Sequence, residues 1–292
     1  MKLLAPLRRR DSRLARRLAA GTLAATLVWA LAGCGGGGDG DPAVTSISAT
    51  NTRFSRPATV TISGRNLLAG ISLHMEGGCE NVTFVTTNTD DTHQYTCDVL
   101  GVGEHIAHVS TSDGRFLGRL TFQVPQPQVS LTVPQGTITL QLDAAKAPVT
   151  ARNFLNYVNS GFYRLTLLHR AIPARGIVAG GYTTGLVGKA ATQPAIVLES
   201  NNGLKNVRGT LGMVRAEAFD SATTQWYINT ADNPDLDYVD AAQPGYAVFG
   251  TVLTGLEVVD AITAVATKTD TAKNMPDVPV TEIRISAMSQ TR

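Results

Sequence analysis

The alternation of apolar and polar positions predicts a β-rich first half. Between residues 44 and 124, runs such as ATVTISG, HQYTCDV and RLTFQV alternate with a period of two and are separated by glycine and asparagine. This period indicates half-buried strands, and several short strands at regular spacing are typical of a β-sandwich. We therefore predict a small β-sandwich over residues 44–124.

A proline-containing segment separates this sandwich from a mixed second half. QVPQPQVS, residues 123–130, has no apolar periodicity, and its prolines indicate a domain boundary. VSLTVPQGTITLQLD then alternates as two strands around a Pro-Gln-Gly turn. Next, APVTARNFLNYVNSGFY places Phe154, Leu155 and Val158 at helical spacing. A second domain, residues 129–292, is expected to open with two strands and a helix.

The first 33 residues are predicted to be a signal peptide. Seven Lys and Arg side chains precede an uncharged apolar stretch, residues 18–33, which is shorter than the roughly 20 residues that a spanning helix needs. The tetrapeptide LAGC, ending at Cys34, resembles the lipobox of bacterial lipoproteins, in which the cysteine after the cleavage point is acylated. Cleavage without lipidation, an uncleaved anchor and twin-arginine export remain alternatives.

Residues 34–43 are predicted to be a lipidated tether. Four glycines follow Cys34 directly, and such a sequence is flexible enough to hold a folded domain away from a membrane. Gly35 stands where the lipobox resemblance would place Asp in a protein of the inner membrane. We therefore expect the protein to be lipid-anchored in the bacterial cell envelope, on the outer membrane and facing the periplasm.

The leader accounts for the basic balance of the chain. The whole sequence has a formal charge of +2, but the leader contains seven basic residues and one acidic residue. Residues 34–292 therefore hold 18 basic and 22 acidic side chains, a net charge of −4. The composition thus gives no support for nucleic acid as a partner.

Two cysteines remain after Cys34, and they are predicted to form a disulfide. Cys79 and Cys97 are an even pair in an exported protein, where the compartment is oxidising, and no CxxC spacing indicates redox or metal chemistry. The five histidines lack metal-ligand spacing, and no loop is suited to phosphate, so neither a metal nor a cofactor is expected. A serine hydrolase is excluded because the Gly-x-Ser-x-Gly motif is absent.

The β-sandwich has a family resemblance of its own. TVTISGRNL, residues 59–67, is similar to the opening of immunoglobulin-like IPT/TIG domains. The resemblance implies an immunoglobulin-like sandwich.

The second domain resembles cyclophilin-type peptidyl-prolyl cis-trans isomerases, particularly the short bacterial ones. The resemblance rests on segments in the family's order: GTITLQLD, APVTARNFLNYVNSGFY, LHRAIP, NNGLKNVRGTLGM, SATTQWYIN and YAVFGTVLTGLEVVDAI. It implies a closed antiparallel barrel of eight strands capped by two helices, at about residues 147–159 and 256–265. The whole chain is thus expected to be dominated by β structure.

The resemblance also implies a set of site residues. Arg170, in LHRAIP, is the expected catalytic donor, because an arginine is always charged and needs no proton transfer. Gln225, in TTQWYIN, is expected to bind the substrate backbone and orient the arginine. His169 lies on the other face of the same strand and is expected to be structural. The implied substrate-binding residues are Tyr227, Leu236, Tyr246, Met213, Val214 and Arg215.

One segment departs from the family pattern. Where the family has PGFMIQGG, this chain has PARGIVAG, which puts Arg175 in place of a pocket phenylalanine and Gly176 in place of a pocket methionine. Val178 replaces the glutamine that holds the arginine. These three residues complete the predicted substrate-binding set, and they imply a weaker grip on proline because apolar surface is lost.

We therefore predict a peptidyl-prolyl cis-trans isomerase that assists the folding of exported proteins, with reduced activity or altered substrate preference. Its expected partners are proline-containing segments of those proteins, and it meets the membrane only through its lipid. The alternative is a non-catalytic module that binds proline-containing peptides as a chaperone on a lipid tether.

Overall fold

The computed structural model describes residues 40–85 and 89–292. These residues form twenty strands, two α-helices and three short 3₁₀ helices, so the prediction of a protein dominated by β structure is confirmed. The predicted signal peptide, Cys34 and most of the tether lie outside the described residues.

Residues 43–124 form two antiparallel sheets. The strands are β1 (Ala43–Thr50), β2 (Pro57–Arg65), β3 (Ile71–Glu76), β4 (Cys79–Phe84), β5 (Thr92–Val99), β6 (Gly103–Thr111) and β7 (Phe116–Val124). One sheet has the order β1-β2-β5-β4 and the other the order β3-β6-β7. Strand β1 was not among the sequence predictions.

Both sheets turn alternate residues into one core, as their period of two requires. Ile62 on β2, Val109 on β6 and Phe122 on β7 are buried in a single cluster. The disulfide between Cys79 and Cys97 joins β4 to β5 across a Cα–Cα distance of 5.5 Å.

The second half contains the remaining strands and both α-helices. They are β8 (Gln128–Val133), β9 (Gly136–Leu142), α1 (Pro148–Asn159), β10 (Leu167–Ile172), β11 (Gly176–Ala179), β12 (Tyr182–Thr183), β13 (Val187–Gly188), β14 (Thr210–Met213), β15 (Trp226–Asn229), β16 (Val248–Thr254), α2 (Leu256–Thr263), β17 (Thr267–Asp270), β18 (Met275–Pro279), β19 (Ile283–Arg284) and β20 (Ala287–Gln290). The predicted strand–strand–helix opening is present, and α2 ends two residues earlier than predicted.

Nine strands, rather than the eight expected, form one antiparallel sheet with the order β19-β10-β11-β15-β14-β16-β9-β8-β20. Only Ile285 and Ser286 separate β19 from β20, which lie at opposite edges of this sheet. The Ile285 amide donates to the carbonyl of Thr166 beside β10, and the Ser286 amide donates to Thr132 of β8. The last segment of the chain thus bonds to both ends of the sheet.

The first turn of helix α1 is capped from elsewhere in the chain. Glu199 accepts hydrogen bonds from the backbone amides of Val149 and Thr150, at 3.1 and 2.7 Å, which satisfies donors that a helix start leaves free. On its inner face Phe154 meets the ring of Trp226 edge-on, with centroids 5.9 Å apart. This packing fixes the helix over the sheet that carries the cavity described below.

The two halves share contacts away from that cavity. Phe54 is buried in the common core, and the Arg56 guanidinium donates to Oδ1 of Asn159 on α1 at 2.7 Å. Gln290 of β20 donates to the carbonyl of Phe54 at 3.0 Å. Neither α-helix within residues 40–85 and 89–292 is long and apolar enough to cross a membrane.

Candidate active site

A cavity of about 480 Å³ lies between β10, β11, β15 and the β17–β18 hairpin. Of the eleven residues predicted for catalysis or substrate binding, nine line it, although they come from distant parts of the sequence. These nine are Arg170, Arg175, Gly176, Val178, Val214, Gln225, Tyr227, Leu236 and Tyr246.

The other two predicted residues do not line the cavity. Met213 is buried in the core, since its side chain faces inward from β14. Arg215 donates from Nε to the carbonyl of Gly245 at 2.9 Å, and its guanidinium lies over the rings of Tyr246 and Phe219. Arg215 therefore supports the cavity from outside through Tyr246.

Arg170 projects from β10 and is about one-third exposed. Its Nη2 donates to Oδ2 of Asp277 at 2.9 Å, and its Nε donates to the carbonyl of Pro276 at 3.2 Å. On the neighbouring strand Val178 is its paired residue. The arginine is thus held by β18 rather than by its neighbour on β11.

His169 is the buried neighbour of Arg170. Its ring lies 4.7 Å from the ring of Tyr182, and 3% of the residue is exposed. Burial lowers the pKa of His169 to about 4, since desolvation disfavours the imidazolium form, and the nearby Arg170 charge lowers it as well. The histidine is therefore neutral at pH 7. It also lines the cavity, which its predicted position on the opposite face of the strand did not indicate.

Gln225 occupies space that a glycine leaves open. A Cβ added at Gly181 would lie 2.6 Å from Cδ of Gln225, so a larger residue there would displace the amide. The backbone around Gln225 is fixed because its carbonyl accepts from the Val214 amide at 2.9 Å. The absence of a side chain at Gly181 thus leaves room for the Gln225 side chain, which lies just before β15.

Tyr227 forms a buried floor with a polar end. Its hydroxyl donates to Oδ1 of Asn206 at 2.5 Å, and burial raises the pKa of the phenol. A Cβ at Gly212 would overlap the tyrosine ring, so the ring fits only because position 212 has no side chain. The Tyr227 ring therefore offers an aromatic face to the cavity, while its hydroxyl is hydrogen-bonded to Asn206.

The segment that departs from the family pattern, residues 173–180, contributes Arg175 to a charged wall. Arg175 and Asp235 make an ion pair with Nη2–Oδ2 at 2.6 Å, and this pair holds the pKa of Asp235 below its usual value. A Cβ added at Gly176 would lie 2.6 Å from the carbonyl oxygen of Ile228, so β11 approaches β15 closely at that point. Arginine and glycine thus stand where the resemblance places apolar side chains.

Sequence reasoning missed one side of the cavity. Lys273, Asn274, Met275 and Pro276 line it from the β17–β18 hairpin. This hairpin follows Arg170 by about 106 residues, and its composition carries no local signal of a binding site. Among the described residues, no group of three or more His, Cys, Asp or Glu side chains is placed to hold a metal.

Comparisons with known proteins bear on the same region. The sequence model of the family "Cyclophilin type peptidyl-prolyl cis-trans isomerase/CLD" matches residues 128–289. Peptidyl-prolyl cis-trans isomerase A of Dickeya dadantii is 46% identical over 153 residues, covering 52% of this chain and 80% of that protein. Peptidyl-prolyl cis-trans isomerase B of Escherichia coli is 44% identical over 141 residues, covering 48% and 85%.

Among solved structures, a cyclophilin-type isomerase of Cryptosporidium parvum, crystallised in the presence of the dipeptide Ala-Pro, matches with a TM-score of 0.48. It is 23% identical, and the match covers 56% of this chain and 99% of that one. The family match spans more than half of the chain and includes every residue that lines the cavity. The chain is therefore a member of the cyclophilin-type peptidyl-prolyl cis-trans isomerase family.

Proposed function

We propose that this protein isomerises X-Pro bonds in exported polypeptides, with the cavity beside Arg170 as its active site. The observation that carries the proposal is the convergence of Arg170, Gln225 and Tyr227 on one cavity of about 480 Å³. A charged donor, an amide and an aromatic floor are together suited to bind a prolyl ring and act on its amide nitrogen.

The chemistry follows from the peptide bond. An X-Pro bond favours trans by only about 0.5–1 kcal/mol, but the barrier between isomers is about 20 kcal/mol because the twisted amide loses resonance. Twisting pyramidalises the prolyl nitrogen and localises a lone pair on it. A fixed donor directed at that nitrogen therefore stabilises the transition state more than either ground state.

Arg170 supplies that donor. An arginine donates hydrogen bonds without any proton transfer. Nε and Nη2 are bound to β18, whereas no described residue accepts from Nη1. Nη1 thus retains free N–H donors on a residue that lines the cavity.

Substrate binding falls to the remaining residues. The Tyr227 ring and Leu236 offer apolar surface for the prolyl ring, and the Gln225 amide can bond to the peptide backbone. Arg175 and Gly176 contribute little apolar contact, and a buried Phe or Met side chain contributes about 1.5–3 kcal/mol. The proposal accordingly includes weak affinity or an altered preference.

The charged wall favours a second candidate function. The Arg175–Asp235 ion pair places charged groups where the resemblance expects apolar pocket side chains. On this alternative, the protein holds proline-containing segments as a chaperone without turning them over.

Exchange spectroscopy separates the two candidates. We would measure cis-trans exchange of an Ala-Pro peptide by NMR with the protein from residue 35 onward, and with its Arg170→Ala variant. Enhancement that falls about 10²–10³-fold in the variant supports the isomerase, as expected when a preorganised donor is removed. Peptide shifts without enhancement in the unmodified protein would instead establish the binding module.

The cellular setting is part of the proposal. We propose a lipid anchor at Cys34, a tether over residues 34–43 and a position on the outer membrane facing the periplasm. The lipobox resemblance, the glycine run and the cysteine pair at positions 79 and 97 support it. Globomycin-sensitive maturation and membrane fractionation test it, and a soluble protein lacking acyl chains would contradict it.

The finer fold assignments are also proposals. Two antiparallel sheets around one core, with a disulfide between β4 and β5, support an immunoglobulin-like sandwich over residues 44–124. Bonds from Ile285 and Ser286 to both edges of the nine-stranded sheet support closure into a barrel. If β19 and β20 count as one interrupted strand, that barrel has eight strands.

A further inference from the structure

The arginine of the proposed active site is held by a partner that the sequence did not indicate. The resemblance assigned this task to a glutamine at position 178, where this chain has valine. Val178 pairs with Arg170 in the antiparallel register, so both side chains lie on the same face of the sheet. A valine at that distance offers no hydrogen-bond acceptor.

Asp277 and the backbone next to it supply the missing acceptors. Nη2 of Arg170 donates to Oδ2 of Asp277 at 2.9 Å, and Nε donates to the Pro276 carbonyl at 3.2 Å. Both side chains of the pair are about 30% exposed, at 31% and 29%. The carboxylate and the carbonyl together take up the Nε–Nη2 edge of the guanidinium.

This arrangement fixes the direction of the remaining donors. The guanidinium is planar, so binding two atoms of one edge sets the orientation of the whole group. No described residue accepts from Nη1, which therefore keeps its donors for a ligand in the cavity.

Asp277 itself is held in an unusual backbone conformation. Its φ is 60°, in the left-handed region that a non-glycine residue rarely adopts. The residues on both sides are held, because the Pro276 carbonyl accepts from Arg170 and Val278 is buried and paired with Lys268. The strained residue thus sits between two fixed neighbours, where its carboxylate is directed at Arg170.

From these contacts we propose that Asp277 is a positioning residue for Arg170, replacing the glutamine that this chain lacks. The inference rests on the proposed isomerase function. It assigns Asp277 no contact with substrate, so its loss should lower the rate of exchange and leave peptide affinity nearly unchanged.

The experiment compares four variants in the protein from residue 35 onward. Asp277→Ala removes the carboxylate, and Asp277→Ala with Val178→Gln adds the family's glutamine on the neighbouring strand. Asp270→Ala is the matched control, because Asp270 accepts from the Lys273 amide in the same hairpin without contacting Arg170. Arg170→Ala gives the rate without the donor.

Three quantities are measured for each variant. They are the maximal exchange rate of an Ala-Pro peptide, its dissociation constant, and the NMR signal of the Arg170 Nε–H group, which reports its hydrogen bond. Asp277→Ala should lower the exchange rate about tenfold, change the dissociation constant less than about twofold, and speed solvent exchange of Nε–H. Val178→Gln should restore at least about half of the lost rate.

Each outcome decides between the claims. If the unmodified protein catalyses exchange and Asp277→Ala matches it in rate and in the Nε–H signal, the positioning role is wrong while the isomerase function stands. A rate loss that Asp270→Ala reproduces would assign the effect to the hairpin as a whole and also overturn the proposal. If the unmodified protein catalyses no exchange, the isomerase proposal fails, and the positioning role fails with it.

Discussion

Two walls of the cavity differ in how their side chains are held. The donor wall consists of Arg170, Gln225 and Tyr227. Asp277 accepts from Arg170, Asn206 accepts from Tyr227, and the absence of side chains at Gly181 and Gly212 leaves room for Gln225 and the Tyr227 ring. The charged wall of Arg175 and Asp235 is called the rim wall from here on. Its two exposed side chains form an ion pair with each other.

This difference indicates that the two walls have different functions. Fixed donors are needed where charge changes along the reaction, since preorganisation there lowers the barrier. An exposed ion pair is worth little in stability, because solvent screens it and its side chains lose entropy. We infer that the donor wall sets the rate and the rim wall sets which peptides are accepted, and the following changes test that division.

The largest effect is expected for Arg170→Lys. Lysine keeps the charge but lacks the planar fork that binds Asp277 and Pro276 at once, so the maximal exchange rate should fall about 10²–10³-fold. Peptide affinity should change by less than about threefold. Arg284→Lys, an exposed arginine paired with Glu282, is the control. If Arg170→Lys kept the full exchange rate, the donor wall would have no catalytic role.

Acid should destabilise the protein through His169, the buried neighbour of Arg170. Its folded-state pKa of about 4 lies below the usual 6.5, so its contribution is complete above pH 6.5 and is lost as the pH falls towards 4. The shift corresponds to about 3 kcal/mol in the free energy of unfolding.

Urea denaturation at pH 7 and at pH 4 measures this loss. A His169→Gln variant should show correspondingly weaker pH dependence over that interval, because glutamine does not titrate. If both proteins lost stability equally, the cause would be groups other than His169.

Gly212→Ala should disturb the floor of the donor wall. The new methyl group would overlap the Tyr227 ring, and such overpacking costs about 1–3 kcal/mol of stability. Peptide affinity should fall as well, because the ring is displaced. Gly188→Ala is the matched control, since a Cβ there meets nothing within 4 Å. Equal melting temperatures for the two variants would mean that the floor adjusts freely.

The smallest effect is expected at the rim wall. Arg175→Phe would add apolar surface to the cavity and should tighten Ala-Pro peptide binding about tenfold, with the maximal exchange rate within about twofold. Asp235→Asn breaks the same ion pair without adding apolar surface and should change affinity less than about twofold. Isothermal titration and exchange NMR measure both quantities, and a large rate change in Arg175→Phe would contradict the division.

The sequence was sufficient for elements whose signal is local. Strands β8 and β9 were predicted within a residue because their apolar positions alternate, and α1 because Phe154, Leu155 and Val158 share one helical face. Family motifs also identified nine of the seventeen residues that line the cavity, since each motif lies within a few positions of the chain. By contrast, the motif did not indicate that the Met213 side chain faces the core, because a motif gives a position and not the direction of a side chain.

Only the tertiary structure joined Arg170 to Asp277, Tyr227 to Gly212 and Gln225 to Gly181. These pairs lie between 15 and 107 residues apart in the chain, and neither member predicts the other from its own neighbourhood. The sequence by itself determined that β structure dominates, indicated the family, and placed Arg170 at the motif position of the proposed donor, because these follow from local periodicity and motifs. How that arginine is held was decided by the hairpin that the sheet brings to its side.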